Sequence, residues 1–250
     1  MNFHPAISRG IQDLGFSEPT PIQRDSIPPA LDGRDVLACA MTGSGKTAAF
    51  VLPILQHMAG TQSGRTRALI ITPTRELASQ IHEHIEALAR HTPVRSATVF
   101  GGVKPGKQEK ALRAGVDIVV ATPGRLLDLM QYPWASFNHL EFLVLDEADR
   151  MLDMGFLPDV RRIFAQLPKR RQTMLFSATL PGPIVKLSKD LLKDPARIDV
   201  ERRSAPATGI SQAILPVPEL LKASLLKEML KRGEIENALV FTRTKHRANR

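Results

Sequence analysis

The 250-residue sequence is short of cysteine, of aromatic rings and of negative charge. It has a single cysteine, Cys39, so no disulfide forms within the chain, which suits a reducing cytosol. Cys39 lies in an apolar run and reads as a small buried hydrophobe. Aromatic residues make up 5% of the chain against 43% hydrophobic residues overall, so an aliphatic core is expected. No uninterrupted apolar run approaches the ~20 residues of a membrane helix. The opening MNFHPAISRGIQDLGF lacks a basic region followed by an apolar stretch and does not read as a signal peptide. Acidic residues number 25 against 34 lysines and arginines, a net charge of +9. That balance favours an anionic partner such as nucleic acid; on charge alone a generically basic protein fits equally well.

What is present is a rhythm of short apolar runs alternating with helical patterns. Strands are expected at 35–40, 67–73, 96–102, 117–123, 142–149 and 172–179, with a shorter one at 196–200. Several are near-continuous in Val, Ile and Leu, as in strands buried on both faces of a parallel sheet. The stretch from Arg75 to His91 repeats Leu77, Ile81, Ile85 and Leu88 at helical spacing. Strands alternating with helices predict an α/β fold, a wound parallel sheet with right-handed crossovers. The polar run ERRSAPATG (201–209) breaks the rhythm. It places a first domain at 1–203, a linker at 204–209 and the beginning of a second domain at 210–250. In that last segment 210–218 and 237–242 read as strands and 219–233 as an amphipathic helix.

One stretch carries chemistry outright: an apolar strand ending near Ala40, then Thr42-Gly43-Ser44-Gly45-Lys46-Thr47, then a helix. Glycines let successive backbone N–H groups turn inward, and the helix N-terminus adds its positive dipole end. Lys46 supplies a charge for β- and γ-phosphates, and the Thr47 hydroxyl suits Mg²⁺. Ala40 stands where such loops usually open with glycine. The second stretch is LVLDEAD. Asp146 and Glu147 fall at the carboxyl end of a buried strand, where ligands bind in open α/β sheets. Asp146 suits Mg²⁺ through water, and Glu147 suits orienting or deprotonating an attacking water. Together the two stretches point to Mg²⁺-dependent hydrolysis of a nucleoside triphosphate.

Further motifs occur in order: GFSEPTPIQ (15–23), AMTGSGKT (40–47), PTRELA (73–78), Gly101-Gly102, TPGR (122–125), DEAD (146–149) and SAT (177–179). This series closely resembles the first RecA-like domain of the DEAD-box RNA helicases, from about Gly15 to about Val200. LVFTRTK (239–245) resembles the first motif of their second domain. The head of the chain looks most like bacterial members of the RhlE group.

The resemblance implies a role for each matching residue. Gln23, flanked by Phe16, Pro19, Thr20, Pro21 and Ile22, matches the glutamine that reads the adenine edge, so ATP is the expected nucleotide. Thr42 to Thr47 match the phosphate loop, with Met41 replacing a more usual Gln. Asp149 matches the residue that bonds Ser177 and Thr179 and couples the nucleotide site to domain closure. Pro73, Thr74, Arg75, Gly101, Gly102, Thr122, Pro123, Gly124 and Arg125 match contacts to the RNA backbone, which carry no sequence code. Taken singly, Arg75 and Arg125 also read as ordinary surface arginines. An aromatic upstream of the glutamine motif is expected from the family, and Phe3 lies closer than that spacing. The cofactors implied are ATP and Mg²⁺, the partner is RNA bound without sequence preference, and the location is cytoplasmic. A DNA helicase on the same core and a non-enzymatic RNA clamp are the competing readings. His82, His84 and His91 on the predicted helix read as surface residues and not metal ligands. Lys169-Arg170-Arg171 reads as a solvated loop. Arginines that complete the hydrolytic site are expected beyond Arg250, so this chain is expected to bind ATP weakly and hydrolyse it hardly at all.

Overall fold

The computed structural model describes residues 2–60, 64–200, 211, 213–233, 235, 237–244 and 248. Its first unit spans Met1–Arg202 and its second Arg203–Arg250. The expected linker at 204–209 lies outside the described residues.

The first unit opens with helices α1 (Pro5–Asp13) and α2 (Pro21–Leu31) and strand β1 (Val36–Cys39). Next come α3 (Lys46–Met58), β2 (Ala68–Ile71), α4 (Arg75–Ala89), β3 (Ser96–Val99), α5 (Gly106–Arg113) and β4 (Ile118–Ala121). The chain continues through α6 (Pro123–Met130), β5 (Phe142–Leu145), α7 (Ala148–Asp153), α8 (Leu157–Phe164), β6 (Gln172–Ser177), α9 (Gly182–Leu191) and β7 (Ala196–Asp199). The strands form one seven-stranded sheet, order β3-β4-β2-β5-β6-β1-β7, and every pair is parallel. All seven strands expected from the sequence form, each shorter than its apolar run. The trimmed residues are the motifs themselves. Glu147, for example, takes left-handed φ 54, ψ 51, which ends pairing after Leu145 and lets α7 begin at Ala148.

Side-chain alternation divides the core between the two faces of the sheet. Val36, Ala38, Ile70, Val120, Val144 and Phe176 pack with residues of α1 to α4. Leu37, Leu69, Val119, Leu143, Leu145 and Leu175 pack with residues of α5 to α9. The period of two that makes this division is the reason a doubly covered strand reads as a continuous apolar run. Where α1 crosses α4, a Cβ on Gly10 would run into the Leu88 carbonyl, so a side chain there would push the helices apart. At the amino end of the sheet the buried Asp35 carboxylate accepts from Thr173 N (2.7 Å) and Lys193 N (2.6 Å), tying β1 to β6 and to the turn into β7. Cys39 is half-buried, contrary to expectation, because it ends its strand; its thiol donates to the Ala178 carbonyl at 3.5 Å.

In the second unit a 3₁₀ turn (Glu219–Leu221) leads into α10 (Lys222–Lys231), as the helical pattern predicts. The two strands expected there do not form among the described residues 213–218 and 237–242. An isolated extended segment leaves its backbone N–H and C=O groups unpaired, so an apolar run without a neighbouring strand makes no sheet. Ile214, Leu239 and Phe241 accordingly stand 94%, 82% and 87% exposed.

Candidate nucleotide site and nucleic-acid face

The order of strands sorts the motifs into two neighbouring groups along the carboxyl edge of the sheet. β1, β6 and β5 are adjacent, so the loops carrying Thr42–Thr47, Ser177–Thr179 and Asp146–Asp149 converge. β2, β4 and β3 are adjacent on the other half, so the loops carrying Pro73–Arg75, Thr122–Arg125 and Gly101–Gly102 converge.

In the first group, Gly45 is the N-cap of α3 at φ 93, a conformation that disfavours any side chain. A Cβ there would also lie 2.5 Å from the Gln23 amide nitrogen. That amide donates to the Gly45 carbonyl at 3.0 Å, while its oxygen accepts from the Thr20 backbone N–H at 3.0 Å. Gln23 therefore joins the start of α2 to the phosphate loop. Lys46 is buried at 6% exposure, and its ammonium donates to the Ala40 carbonyl at 2.8 Å. The residue replacing the usual glycine thus holds the lysine through its backbone, which needs no particular side chain. Thr42, Gly43 and Met41 are exposed, and Phe16 is 42% exposed.

Asp146 is 3% exposed and accepts from the Glu147 backbone N–H at 3.0 Å. Burial pushes its carboxyl up to about 7; the Lys46 ammonium pulls the other way, and the charge on Glu147 adds to the rise. Glu147 is 9% exposed and its carboxylate pairs with Arg150 at 3.2 Å. The Asp149 carboxylate accepts from the Thr179 hydroxyl at 2.8 Å. The Ser177 hydroxyl accepts from the Asp149 backbone N–H at 3.1 Å and donates to the Thr179 carbonyl at 2.7 Å. Burial opposes the charge on Asp149, but bonds from the Thr179 hydroxyl and from the Ala178 and Arg150 amides overcome it and hold its carboxyl below the usual aspartate value.

The donor set fits a metal-bound polyphosphate. Backbone N–H groups at a helix start and a buried ammonium suit phosphate oxygens, while the Thr47 hydroxyl and a buried carboxylate are hard oxygen ligands that suit Mg²⁺. The Ser44 hydroxyl, buried in the loop without a hydrogen-bond partner, is one further unused donor.

In the second group, Thr74 caps α4, its hydroxyl accepting from Leu77 N at 3.3 Å, and Arg75 is exposed. The Arg75 guanidinium lies 5.2 Å over the Phe100 ring and occupies the place a Cβ on Gly102 would need. Arg125 donates to the Val103 carbonyl at 3.2 Å, linking the Thr-Pro-Gly-Arg and Gly-Gly loops. Thr122, Pro123 and Pro73 are buried. Of the residues predicted for this face, those three shape its turns, while Arg75, Arg125, Thr74 and the glycines line it.

The family model for DEAD/DEAH box helicases matches residues 20–187. The chain belongs to that family. It is 43% identical over 249 residues to the ATP-dependent RNA helicase SrmB of Escherichia coli (strain K12), covering 98% of this chain and 56% of that protein. It is 41% identical over 243 residues to the ATP-dependent RNA helicase DbpA of Bacillus subtilis (strain 168), covering 97% of this chain and 50% of that one. A solved structure from Sulfolobus tokodaii, a hypothetical ATP-dependent RNA helicase, matches with a TM-score of 0.74 at 40% identity over 79% of this chain and 57% of that chain. The first unit is thus RecA-like, and the chain spans about half the length of the curated relatives it matches.

Within this DEAD-box domain, some contacts were not anticipated from the sequence. Arg150 reaches Glu147 across an i,i+3 spacing, a signal that was legible. The Thr20–Gln23 pair is half of a capping box, T-x-x-Q, also legible. Arg171 corrects the expected solvated loop: Lys169 and Arg170 are exposed, but Arg171 lies 5.1 Å over the Phe164 ring and donates to the Pro168 carbonyl, and burial lowers its pKa. Of the three histidines, His82 is half-buried against Ser96 (2.9 Å), and His91 meets Asp13 at 2.7 Å. Phe3 packs against the core on the α1 side.

Proposed function

We propose that the chain is the nucleotide-binding and RNA-contacting part of an ATP-dependent RNA helicase, with residues 210–250 the beginning of a second RecA-like domain. The observation that supports this most is the meeting of Lys46, Asp146–Glu147 and the Asp149–Thr179–Ser177 network at adjacent strand ends. Gln23, in the motif that includes Phe16, presents an amide whose donor and acceptor match the adenine edge, so ATP is preferred. Lys46 and the loop N–H groups bind the triphosphate, and Thr47 and Asp146 hold Mg²⁺. When bound, that ion neutralises charge on the phosphate oxygens. Glu147 orients the attacking water and takes its proton. Asp149, bonded to Thr179, carries the state of the nucleotide site into the Ser177–Thr179 loop.

Arg75, Arg125, Gly101, Gly102 and the helix starts at Thr74 and Thr122 bind RNA through its phosphates, without sequence preference. In the whole protein, closure of two such domains separates short duplexes in the cytoplasm. The RhlE-like head suggests a bacterial member. Arginines from the second domain are worth about 10³–10⁵ in rate in related NTPases. The 250 residues alone are therefore expected to bind ATP with little turnover.

The test is steady-state ATP turnover by the chain, with and without single-stranded RNA, beside Lys46→Ala. Detectable ATP binding that Lys46→Ala abolishes, with flat turnover, is the expected result. RNA-stimulated turnover near that of an intact helicase would overturn the half-site reading. Preference for single-stranded DNA over RNA would overturn the substrate reading.

A further inference from the structure

Both of the rings that can stack and hydrogen-bond most readily, the only tryptophan and the only tyrosine of the chain, sit together on the surface. Trp134 and Tyr132 are stacked at 5.2 Å with their planes 11° apart. Trp134 is partly buried against the core on the α5–α9 side, which fixes it, while Tyr132 is 52% exposed. The Arg113 guanidinium lies 5.0 Å over the Trp134 ring. Trp134 serves the core with one part of its surface, but the outward Tyr132 does not, and the nucleotide site does not use the stack.

The stack is joined to the Gly-Gly loop by α5. Beyond Gly102 come Lys104, Lys107, Lys110 and Arg113, a cation at every third residue, all exposed. Gln108 and Leu112 are the buried side of the helix, and the Gln108 amide donates to the Phe100 carbonyl at 3.0 Å, anchoring the start of α5 beneath the Gly-Gly loop. Val103, at the near end, is the residue whose carbonyl holds Arg125. Eight helical residues at 1.5 Å each carry this basic stripe about 12 Å away from the loop. The acidic side chains against it are Glu109, paired with Arg113 at 2.9 Å, and Asp128, 3.9 Å from Arg125. Among the described residues Lys104, Lys107 and Lys110 form no ion pair.

We propose that RNA held at the β2–β4–β3 strand ends continues along α5, its phosphates on Lys104, Lys107 and Lys110, and stacks a base on the Tyr132–Trp134 pair. The inference rests on the RNA reading above and extends its footprint. A cationic track ending on an aromatic platform is how single strands are held without a sequence code: phosphates meet the charges, and any base offers a face to the ring. The charge fits a polyanion, and continuity with the Arg75–Arg125 face argues for the same RNA strand.

Because Trp134 is the only tryptophan, its fluorescence reports the platform directly. The chain is titrated at low salt with dye-labelled oligouridylates of about 6 and about 20 nucleotides, following dye anisotropy and Trp134 emission together. Both RNAs are expected to bind, but only the longer one to quench Trp134, with affinity about tenfold above the short one. Tyr132→Ala, and separately the pair Lys107→Glu with Lys110→Glu, should remove that excess and leave binding of the short RNA as it was. All three positions are exposed, so these variants fold. Binding of the long RNA without quenching, or an excess that both variants retain, overturns the track while leaving the RNA reading intact; the stack would then serve packing or a protein partner. Failure of both RNAs to bind overturns both.

Discussion

Gln23 does two things with one amide. Its oxygen closes the first turn of α2 on Thr20, and its nitrogen holds the Gly45 carbonyl at the entrance to α3. Two substitutions separate these. Gln23→Ala removes both bonds and should cost about 1 kcal/mol in urea unfolding, as partly exposed neutral hydrogen bonds do. Gln23→Glu keeps the acceptor for Thr20 but turns a carboxylate toward the Gly45 carbonyl. The buried carboxylate then faces a carbonyl oxygen it cannot donate to, so Gln23→Glu should lower the urea midpoint more than Gln23→Ala; a midpoint equal to or above that of Gln23→Ala would show that the amide nitrogen does not hold the loop. At the same scale, the opposite behaviour of two aspartates three residues apart comes from their partners. Asp146 is buried and receives one backbone N–H, so burial prevails and its carboxyl rises to about 7. Asp149 is less buried and receives several donors, so the hydrogen bonds prevail.

Among the elements, the amino ends of the strands carry the fastenings and the carboxyl ends carry the chemistry. Just before β2, Arg67 grips Glu141, just before β5, bidentately through one guanidinium edge, Nε to Oε1 at 2.7 Å and Nη2 to Oε2 at 2.9 Å, and His57 adds a third contact at 3.1 Å. The Arg67 hydrogen bonds outweigh burial and hold the Glu141 carboxyl below its reference value of 4.5. A folded value below the unfolded one stabilises the fold above about pH 4.5 and loses that contribution as pH falls through the folded value. Because Glu141 is 41% exposed, the effect is modest, below about 1 kcal/mol. Urea midpoints of Glu141→Gln should therefore fall slightly at pH 7 and converge with those of the unaltered protein as pH falls through the folded value of Glu141, below which both carry a neutral side chain. A difference that grows toward acid pH would contradict this assignment.

Across the whole molecule, the sheet order keeps the nucleotide loops on β1, β6 and β5 and the Arg75–Arg125 face on β2, β4 and β3. The two halves meet where β5 pairs directly with β2. The net charge of +9 predicts that RNA affinity falls with salt, log Kd rising by about 0.7 per phosphate contacted for each tenfold increase in salt, with little preference among base sequences. A salt-independent affinity would remove the phosphate-based account.

The chain's order of apolar runs and helical repeats was enough to predict all seven strands of the first unit, and the phosphate loop and the DEAD stretch were legible because backbone-driven chemistry demands particular residue types at fixed spacing. Lys46, Asp146 and Glu147 are therefore where the sequence puts them. Other features depend on separations that run through space. That Ala40 holds Lys46 through its carbonyl, that Gln23 braces Gly45 twenty-two positions away, and that Arg113 lies over Trp134 follow from strand order and helix packing, which no local spacing encodes. The second unit shows the converse. Its apolar runs at 213–218 and 237–242 read as strands, yet remain outside any sheet among the described residues, because a strand exists only when another supplies its hydrogen bonds.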